Sequence, residues 1–176
     1  MYPAVFLDRD GVINFDYGYI SKVDDFEIIP GTIEALKKLQ KLGFKLVIFT
    51  NQSGIGRGII SLEKYNEINM HMESIFTKNS IEILEVFHCP HVPEDKCYCR
   101  KPQPGMINKA VKKFNLDIKN SIVVGDKKTD ISAGISAGIL QNYLIHDSNK
   151  NKDKDSNLYI YNSLYQLVCK SNVIKL

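Results

Sequence analysis

Two aspartates follow the first apolar segment of the chain. Asp8 and Asp10 come directly after Ala4–Leu7, with one residue between them. In extended backbone, residues two apart point to the same side, so both carboxylates can face one site. Carboxylates this close repel unless a shared proton or a cation compensates them, and Mg²⁺ with oxygen ligands suits such a pair. Asp126, which follows Gly125 after another apolar segment, could complete the oxygen ligands. Taken singly, each aspartate is equally consistent with a loop cap.

A second group of reactive side chains lies between positions 88 and 105. It supplies three thiols and an imidazole in the pattern C-x-H followed by C-x-C: Cys89, His91, Cys97 and Cys99. This combination suits tetrahedral Zn²⁺, and four protein ligands would close the site, which predicts a structural metal. Disulfides and free buried cysteines are the alternatives. The remaining cysteine, Cys169, is predicted to lie in the core on an apolar helical face.

Short apolar segments alternate with amphipathic ones and must position these side chains. The five predicted strands are Ala4–Leu7, Phe44–Phe49, Ile83–Phe87, Ile122–Val124 and Leu140–Ile145, and Tyr159-Ile160-Tyr161 precedes the last helix without an assigned structure. Alternation of strands and helices predicts an α/β fold with a parallel sheet covered on both faces. In such sheets, ligands bind at the carboxyl ends of the strands, where the aspartates lie.

Turn and capping residues predict where the helices begin and end. One helix should follow Pro30-Gly31 and end at Gly43, a second should be capped by Ser61, and a third should open at Pro104-Gly105. The later helices should be a short one capped by Asp130 or Ser132 and ended by Gly138, and a last one from Ser163. Residues 54–58 are expected to form a turn, and residues 147–157 a polar loop without an assigned role.

Four segments, in order, resemble the motifs of the haloacid dehalogenase (HAD) phosphatase superfamily. They are Asp8-Arg9-Asp10-Gly11-Val12, Val47-Ile48-Phe49-Thr50-Asn51, Lys101, and Val123 to Asp130. The resemblance extends over residues 4–140 and implies a Rossmann-like three-layer sandwich with a mostly parallel central sheet. No large insertion interrupts the strand series, so we expect a single domain over residues 1–176 with a minimal cap made of loops.

This resemblance implies a role for each motif residue. Asp8 would attack phosphorus and form an aspartyl-phosphate, and Asp10 would act as general acid and then general base. Thr50 would hold phosphoryl oxygens, and Lys101 would neutralise negative charge. The resemblance also implies Mg²⁺ held by the Asp8 side chain, the Asp10 carbonyl and the Asp126 side chain.

The cysteine loop, together with Cys99-Arg100-Lys101-Pro102-Gln103-Pro104-Gly105-Met106, is similar to the heptose-bisphosphate phosphatases within that superfamily. This implies removal of the C7 phosphate on the way to nucleotide-activated heptose, and Zn²⁺ on His91 rather than His88. The implied substrate contacts are Asp16, Tyr17, Gly18, Tyr19, Thr50, Asn51, Gln52, Ser53, Arg100, Lys101 and Lys127. The stretch between the two ligand pairs is shorter than in many relatives.

The chemistry of Arg100 suggests a role independent of the resemblance. A second phosphate needs a cation, and Arg binds phosphate bidentately where Lys acts as a point charge. The alternative is an ordinary surface arginine.

Three other functions fit parts of the pattern. A histidinol-phosphate phosphatase shares the zinc loop, but its amine substrate would want an acidic wall, for which Asp24-Asp25 is the only candidate. A zinc-stabilised binding module without catalysis would not need all of the motif residues. A nucleic-acid 3′-phosphatase should carry a basic stripe with interleaved aromatic residues, and the net charge of +3 gives no such footprint.

Length and composition are those of an ordinary globular protein. The 176 residues suit one domain, and 44% hydrophobic with 24% charged residues argue against disorder. No apolar run approaches the ~20 residues of a membrane span, and the start lacks the features of a signal peptide. We therefore expect a cytoplasmic protein, a monomer that acts on a small sugar phosphate and binds neither nucleic acid nor membrane.

Overall fold

The computed structural model describes residues 1–145, 159–171 and 174, and its centre is a parallel six-stranded sheet. The strands are β1 Ala4–Leu7, β2 Lys45–Asn51, β3 Ile83–Cys89, β4 Ile122–Gly125, β5 Gln141–Ile145 and β6 Tyr159–Tyr161. Their order is β3-β2-β1-β4-β5-β6, and every neighbouring pair is parallel. The predicted α/β fold is thus confirmed. The polar segment 147–157 lies outside the described residues.

Two strands run further than their apolar segments. In β2 and β3 the pairing continues through Thr50 with His88 and Asn51 with Cys89. The polar side chains concealed this extension, because the backbone pairs regardless of what the side chains are.

Helices cover both faces of the sheet. They are α1 Thr32–Lys41, α2 Ser53–Gly56, α3 Leu62–Lys78, α4 Gly105–Phe114 and α5 Lys128–Ala137, followed by a π-helical segment, Gln166–Lys170. Ser61 caps α3 as predicted, accepting a hydrogen bond from the Lys64 backbone N–H at 3.2 Å. Within the described residues, no helix is both long and apolar enough to cross a membrane.

Side chains of each central strand alternate between two cores. In β1, Val5 and Leu7 join the core on one face, which includes residues of α1 and α3. Ala4 and Phe6 join the core on the other face, which includes residues of α4 and α5. The result is the predicted three-layer arrangement, with β1 fully buried in the middle layer.

The start of α5 differs from the prediction. The helix begins at Lys128, and neither Asp130 nor Ser132 caps it. Asp130 instead lies in the first turn and accepts the Lys127 backbone N–H at 2.9 Å through Oδ2. Because an acid in the first turn can satisfy the N-cap amide by reaching backwards, the capping residue itself need not be polar. Gly138 ends the helix with φ 92°, as predicted.

The strand order places the site. The sheet grows in both directions from β1, with β2 on one side and β4 on the other. Leu7 pairs with Ile48 of β2 and Val124 of β4, so the three strands end side by side. Asp8, Thr50 and Asp126 therefore meet at the switch point of the sheet, where open α/β sheets bind ligands.

Candidate active site

A buried lysine lies at the centre of the strand ends. The Lys101 Nζ is 2.9 Å from Asp8 Oδ1 and 2.6 Å from Asp130 Oδ1, and it donates to the Phe49 carbonyl at 2.9 Å. Lys101 is 3% exposed, so its charge is neutralised by the protein and not by solvent. The Asn51 side chain holds the Lys101 backbone from both sides, accepting its N–H at 3.0 Å and donating to its carbonyl at 3.1 Å. The amide of Asn51 is thus committed to positioning Lys101.

Negative charge exceeds positive charge in this cluster. Ligand oxygens of Asp8, Asp126 and Asp130 lie within 4.8 Å of one another, around the single ammonium of Lys101. Burial and the neighbouring carboxylates raise the pKa of Asp8 well above its usual value, against the opposing effect of Lys101. Burial also raises the pKa of Asp126. Lys127 Nζ, 3.5 Å from Asp126 Oδ2, compensates part of this charge, and a divalent cation would compensate the rest.

The donor atoms available fit such a cation. Asp130 is occupied by Lys101 and by the Lys127 backbone, whereas Asp126 Oδ1 is buried without a hydrogen-bond partner. Asp126 Oδ1 is thus available to hold Mg²⁺, beside Asp8, whose Oδ1 already accepts the Arg9 backbone N–H at 2.8 Å and pairs with Lys101. Gly11 allows this close approach, because a Cβ there would lie 2.5 Å from Asp126 Oδ2, and its φ of 88° disfavours any other residue.

Asp10 lies in a different environment. Its Oδ1 accepts from Arg9 Nε at 3.2 Å and Asn14 Nδ2 at 2.9 Å. Its Oδ2 accepts from the second Arg9 nitrogen at 3.1 Å and Gln52 Nε2 at 2.8 Å. Burial alone would raise the pKa of Asp10, but Arg9 and the amide donors bring it below its usual value. The structure therefore holds Asp10 as an oriented carboxylate.

A cavity of about 360 Å³ is lined by Asp10 and Lys101. Most of the predicted substrate contacts line it: Asp16, Gly18, Tyr19, Asn51, Gln52, Ser53, Arg100, Lys101 and Lys127. Thr50 is buried, and its Oγ1 accepts from Gln52 Nε2 at 2.9 Å. Tyr17 lines a neighbouring cavity and donates to Glu27 at 2.8 Å. Gly54 and Thr129 line the cavity without having been predicted from the sequence.

Three cationic side chains line this cavity: Arg100, Lys127 and Lys101. Arg100 is held to the cysteine loop because its Nη1 donates to the His91 carbonyl at 3.0 Å. Lys127 Nζ is 3.0 Å from Asp16 Oδ2, which joins the loop after β1 to the start of α5. Burial lowers the pKa of Lys127, but the carboxylates of Asp126 and Asp16 outweigh it and leave that pKa above its usual value. Together with Lys101, these side chains can bind an anionic ligand.

Asp24 and Asp25 do not form a wall of this cavity. They line the neighbouring cavity of about 280 Å³ with Tyr17, Tyr19, Ile20 and Glu27. An amine in the main cavity would therefore meet Asp10 and Asp16, both already paired with cations.

Cys89, His91, Cys97 and Cys99 converge on one point. Their sulfurs lie 3.3 to 3.5 Å apart, and His91 Nδ1 is 3.5 Å from Cys89 Sγ and 3.3 Å from Cys99 Sγ. A disulfide would need sulfurs about 2.05 Å apart. Zinc bonds of about 2.3 Å place tetrahedral sulfurs roughly 3.8 Å apart, close to the spacing seen. Burial raises the pKa of the Cys89 thiol, so its thiolate needs a bound cation. The cluster is thus able to hold Zn²⁺, with His91 rather than His88.

Asp130 is the functional residue that sequence reasoning missed. The sequence offered it only as a possible helix cap and as the last residue of the fourth motif segment, with no role of its own, whereas the structure makes it the second anion of Lys101. The usable signal was its place in that segment.

Comparisons with known proteins agree with this geometry. The family described as polynucleotide kinase 3 phosphatase matches residues 11–160. The D-glycero-alpha-D-manno-heptose-1,7-bisphosphate 7-phosphatase of Photorhabdus laumondii is 42% identical over 93% of each chain. The D-glycero-beta-D-manno-heptose-1,7-bisphosphate 7-phosphatase of Vibrio cholerae is 45% identical over 78% of this chain and 77% of its own. A crystal structure of the D,D-heptose 1,7-bisphosphate phosphatase from B. bronchiseptica, with magnesium and phosphate, has a TM-score of 0.85. It is 28% identical and covers 94% of this chain and 96% of its own.

The cysteine cluster yields a direct prediction. We expect about one zinc per chain in protein prepared without chelator, and Cys99→Ser should lower both the zinc content and the midpoint of urea unfolding, because metal binding at such sites contributes to folding. Elemental analysis and circular dichroism measure the two quantities. Cys169→Ser is the matched control, because Cys169 is packed against the core away from the cluster, and it should keep its zinc. Equal zinc in both variants would contradict the site.

Proposed function

We propose that this chain, which belongs to the HAD-type family of D-glycero-D-manno-heptose-1,7-bisphosphate 7-phosphatases, removes the C7 phosphate of heptose 1,7-bisphosphate. The observation that carries this is 42% identity to such an enzyme over 93% of both chains. The product is a heptose 1-phosphate, a precursor for nucleotide-activated heptose. The cluster of Asp8, Asp126 and Lys101 supports the chemistry.

Asp8 is the nucleophile in this proposal. It ends β1 at the base of the site, and its carboxylate attacks phosphorus to form an aspartyl-phosphate, which divides hydrolysis into two easier steps. Lys101 keeps Asp8 oriented and compensates charge on the phosphoryl group. Asp8, the Asp10 carbonyl and Asp126 would hold Mg²⁺, whose positive charge would let the two anions approach each other.

Asp10 is the general acid and the general base in this proposal. It protonates the departing sugar oxygen and later takes a proton from the water that cleaves the aspartyl-phosphate. The four donors around Asp10 favour its ionised form, which is the form required of the base. The negative phosphoryl group arriving beside Asp10 raises the pKa of that carboxyl and so favours the acid form.

The cationic side chains that line the cavity can bind a substrate with two phosphates. Arg100 is held at the cavity by the His91 carbonyl, and its planar guanidinium can bind the phosphate that is not transferred. Lys127 can turn from Asp16 to the transferred phosphoryl group, which frees the Asp16 carboxylate to accept sugar hydroxyls. Thr50 and the amides of α2 would support phosphoryl oxygens.

The zinc loop positions these cations. Zn²⁺ on the cysteine cluster would fix the residues that precede Arg100 and Lys101 in the chain. We propose that the protein acts in the cytoplasm as a single-domain monomer.

The assay that tests the proposal compares phosphate release from four substrates in Mg²⁺. They are both anomers of heptose 1,7-bisphosphate, histidinol phosphate and a 3′-phosphorylated oligonucleotide. We expect the highest kcat/KM with a heptose bisphosphate, because Asp24 and Asp25 lie outside the main cavity and leave no acidic wall for an amine. Preference for histidinol phosphate or the oligonucleotide would overturn the substrate, and no release from any would overturn the phosphatase assignment.

Asp8→Asn tests the nucleophile. The amide cannot form the aspartyl-phosphate, so kcat should fall by several orders of magnitude. The fold should persist, because Lys101 keeps Asp130 as a partner. Circular dichroism checks the fold, and phosphate release checks the rate. Asp117→Asn, at an exposed turn far along the chain, is the control and should retain full activity. A near-normal rate for Asp8→Asn would refute this role.

Arg100→Ala tests the second phosphate. The variant should raise KM for heptose 1,7-bisphosphate by roughly tenfold or more, because a charge-assisted contact is worth about 1.5–3 kcal/mol. For p-nitrophenyl phosphate, which has no second phosphate, KM should change little. Arg57→Ala, at an exposed position after α2, serves as the control. Equal increases for both substrates would contradict the assignment.

A further inference from the structure

The residue between the two motif aspartates is a buried arginine. Arg9 is 1% exposed, which makes it one of the largest fully buried side chains among the described residues. Its Nε and terminal nitrogen donate to the two oxygens of Asp10 at 3.2 and 3.1 Å, so the guanidinium and the carboxylate meet edge to edge. A charge buried this deeply is costly unless fully paired, so the pairing serves a purpose that an apolar residue could not.

Helix α3 holds Arg9 from behind. The guanidinium carbon lies 5.6 Å from the centre of the Tyr65 ring, over its face. The remaining terminal nitrogen donates to Asn69 Oδ1 at 3.4 Å. Tyr65 is itself buried, and Asn69 follows one helical turn later on the same side of α3. All three nitrogens of the guanidinium therefore have partners within the protein.

Arg9 is not placed to touch the substrate. The cavity is lined by Asp10, Gln52, Arg100, Lys101 and Lys127, but not by Arg9. Its backbone also anchors the loop, since its carbonyl accepts the N–H groups of Ile13 at 2.9 Å and Asn14 at 3.2 Å. The Arg9 backbone N–H also donates to Asp8 Oδ1 at 2.8 Å, a contact that substitution of the side chain leaves in place. The Arg9 side chain can therefore contribute to the reaction only through Asp10.

We propose that Arg9, held by Tyr65 and Asn69, is a positioning residue that fixes the plane of the Asp10 carboxyl group for proton transfer to the leaving oxygen. This inference rests on the proposed phosphatase function. In the step it serves, the P–O bond to the sugar breaks, and its electron pair goes to the sugar oxygen. Gln52, which lines the cavity, gives up its hydrogen bond to Asp10 Oδ2 so that this oxygen can carry the proton. The Asp10 O–H bond then breaks, its proton goes to the sugar oxygen, and a carboxylate held by Arg9 remains.

Arg9 holds both oxygens of Asp10 from one rigid group. Asn14 binds Oδ1 and Gln52 binds Oδ2, but they are separate side chains that can move independently of each other. Arg9 binds both oxygens, and the rigid fork of a guanidinium matches a carboxylate in one plane only. Lysine keeps the charge but cannot make this contact, so Arg9→Lys separates orientation from electrostatics.

Two substrates with different leaving groups test this role of Arg9. An alkoxide departs only with a proton, whereas p-nitrophenolate departs without one. We expect Arg9→Lys to lower kcat/KM for heptose 1,7-bisphosphate at least tenfold, within the roughly 10²–10⁴-fold value of general acid catalysis. For p-nitrophenyl phosphate, kcat/KM should fall by less than about threefold. The parameter kcat/KM reports the steps up to loss of the leaving group, so the later water attack does not obscure the comparison.

The ratio of kcat/KM for the two substrates does not depend on how much of a variant is folded. A smaller folded fraction lowers both values equally and cancels from the ratio. Tyr65→Leu removes the ring under the guanidinium and should shift the ratio in the same direction by a smaller amount. Phe76→Leu is the matched control, because it also removes a buried ring from α3 but does not contact Arg9, and its ratio should equal that of the wild type.

The outcomes separate the two proposals. Equal losses on both substrates, or an unchanged ratio in Arg9→Lys, would overturn the positioning role while wild-type turnover still supports the phosphatase. If the wild type does not accept heptose bisphosphate, histidinol phosphate takes its place as the alkyl substrate, since it requires the same protonation, and Arg9 remains tested. A wild type that hydrolyses no phosphate at all would overturn both.

Discussion

The ammonium group of Lys101, shared between Asp8 and Asp130, is the interaction on which the site depends. It joins three separate parts of the chain: the end of β1, the first turn of α5 and the loop that follows the cysteine cluster. Each of these charges would be costly to bury alone, and each is tolerable only because the others are present. The arrangement therefore forms as a unit, with Asn51 at the end of β2 fixing the Lys101 backbone beside it.

Four aspartates within one small site differ because their partners differ. Asp8 is buried against a lysine, and Asp126 keeps one oxygen without a hydrogen-bond partner. Asp130 is fully committed to Lys101 and a helix N-terminus. Asp10 accepts from an arginine and two amides. The environment thus gives four chemically identical side chains different partners, which supports the separate roles proposed for them as nucleophile, metal ligand, anchor and acid–base group.

Loops take the place of a cap domain in the described part of the chain. The loop after β1 reaches α5 through Asp16 and Lys127, and the cysteine loop carries Arg100 to the opposite side of the cavity. Gly54 allows the two loops after β1 and β2 to pack closely, since a Cβ there would lie 2.8 Å from the Tyr19 ring. A cavity of about 360 Å³ with cations on its rim suits a small phosphorylated sugar.

The sequence by itself determined the parallel α/β sheet, the strand-end aspartates and the zinc ligands. These depend on local patterns: apolar segments set the strands, and ligand spacing along one short loop sets the cysteine cluster. Only the tertiary structure decided the second role of Asp130, the buried position of Arg9, the commitment of Asn51 to Lys101 and the placement of Tyr17 outside the main cavity. Each of these is a contact between residues that are distant in sequence or that could equally have faced water. A sequence states which charges exist, but their partners depend on which elements fold against one another, and in a buried site the partner decides the chemistry.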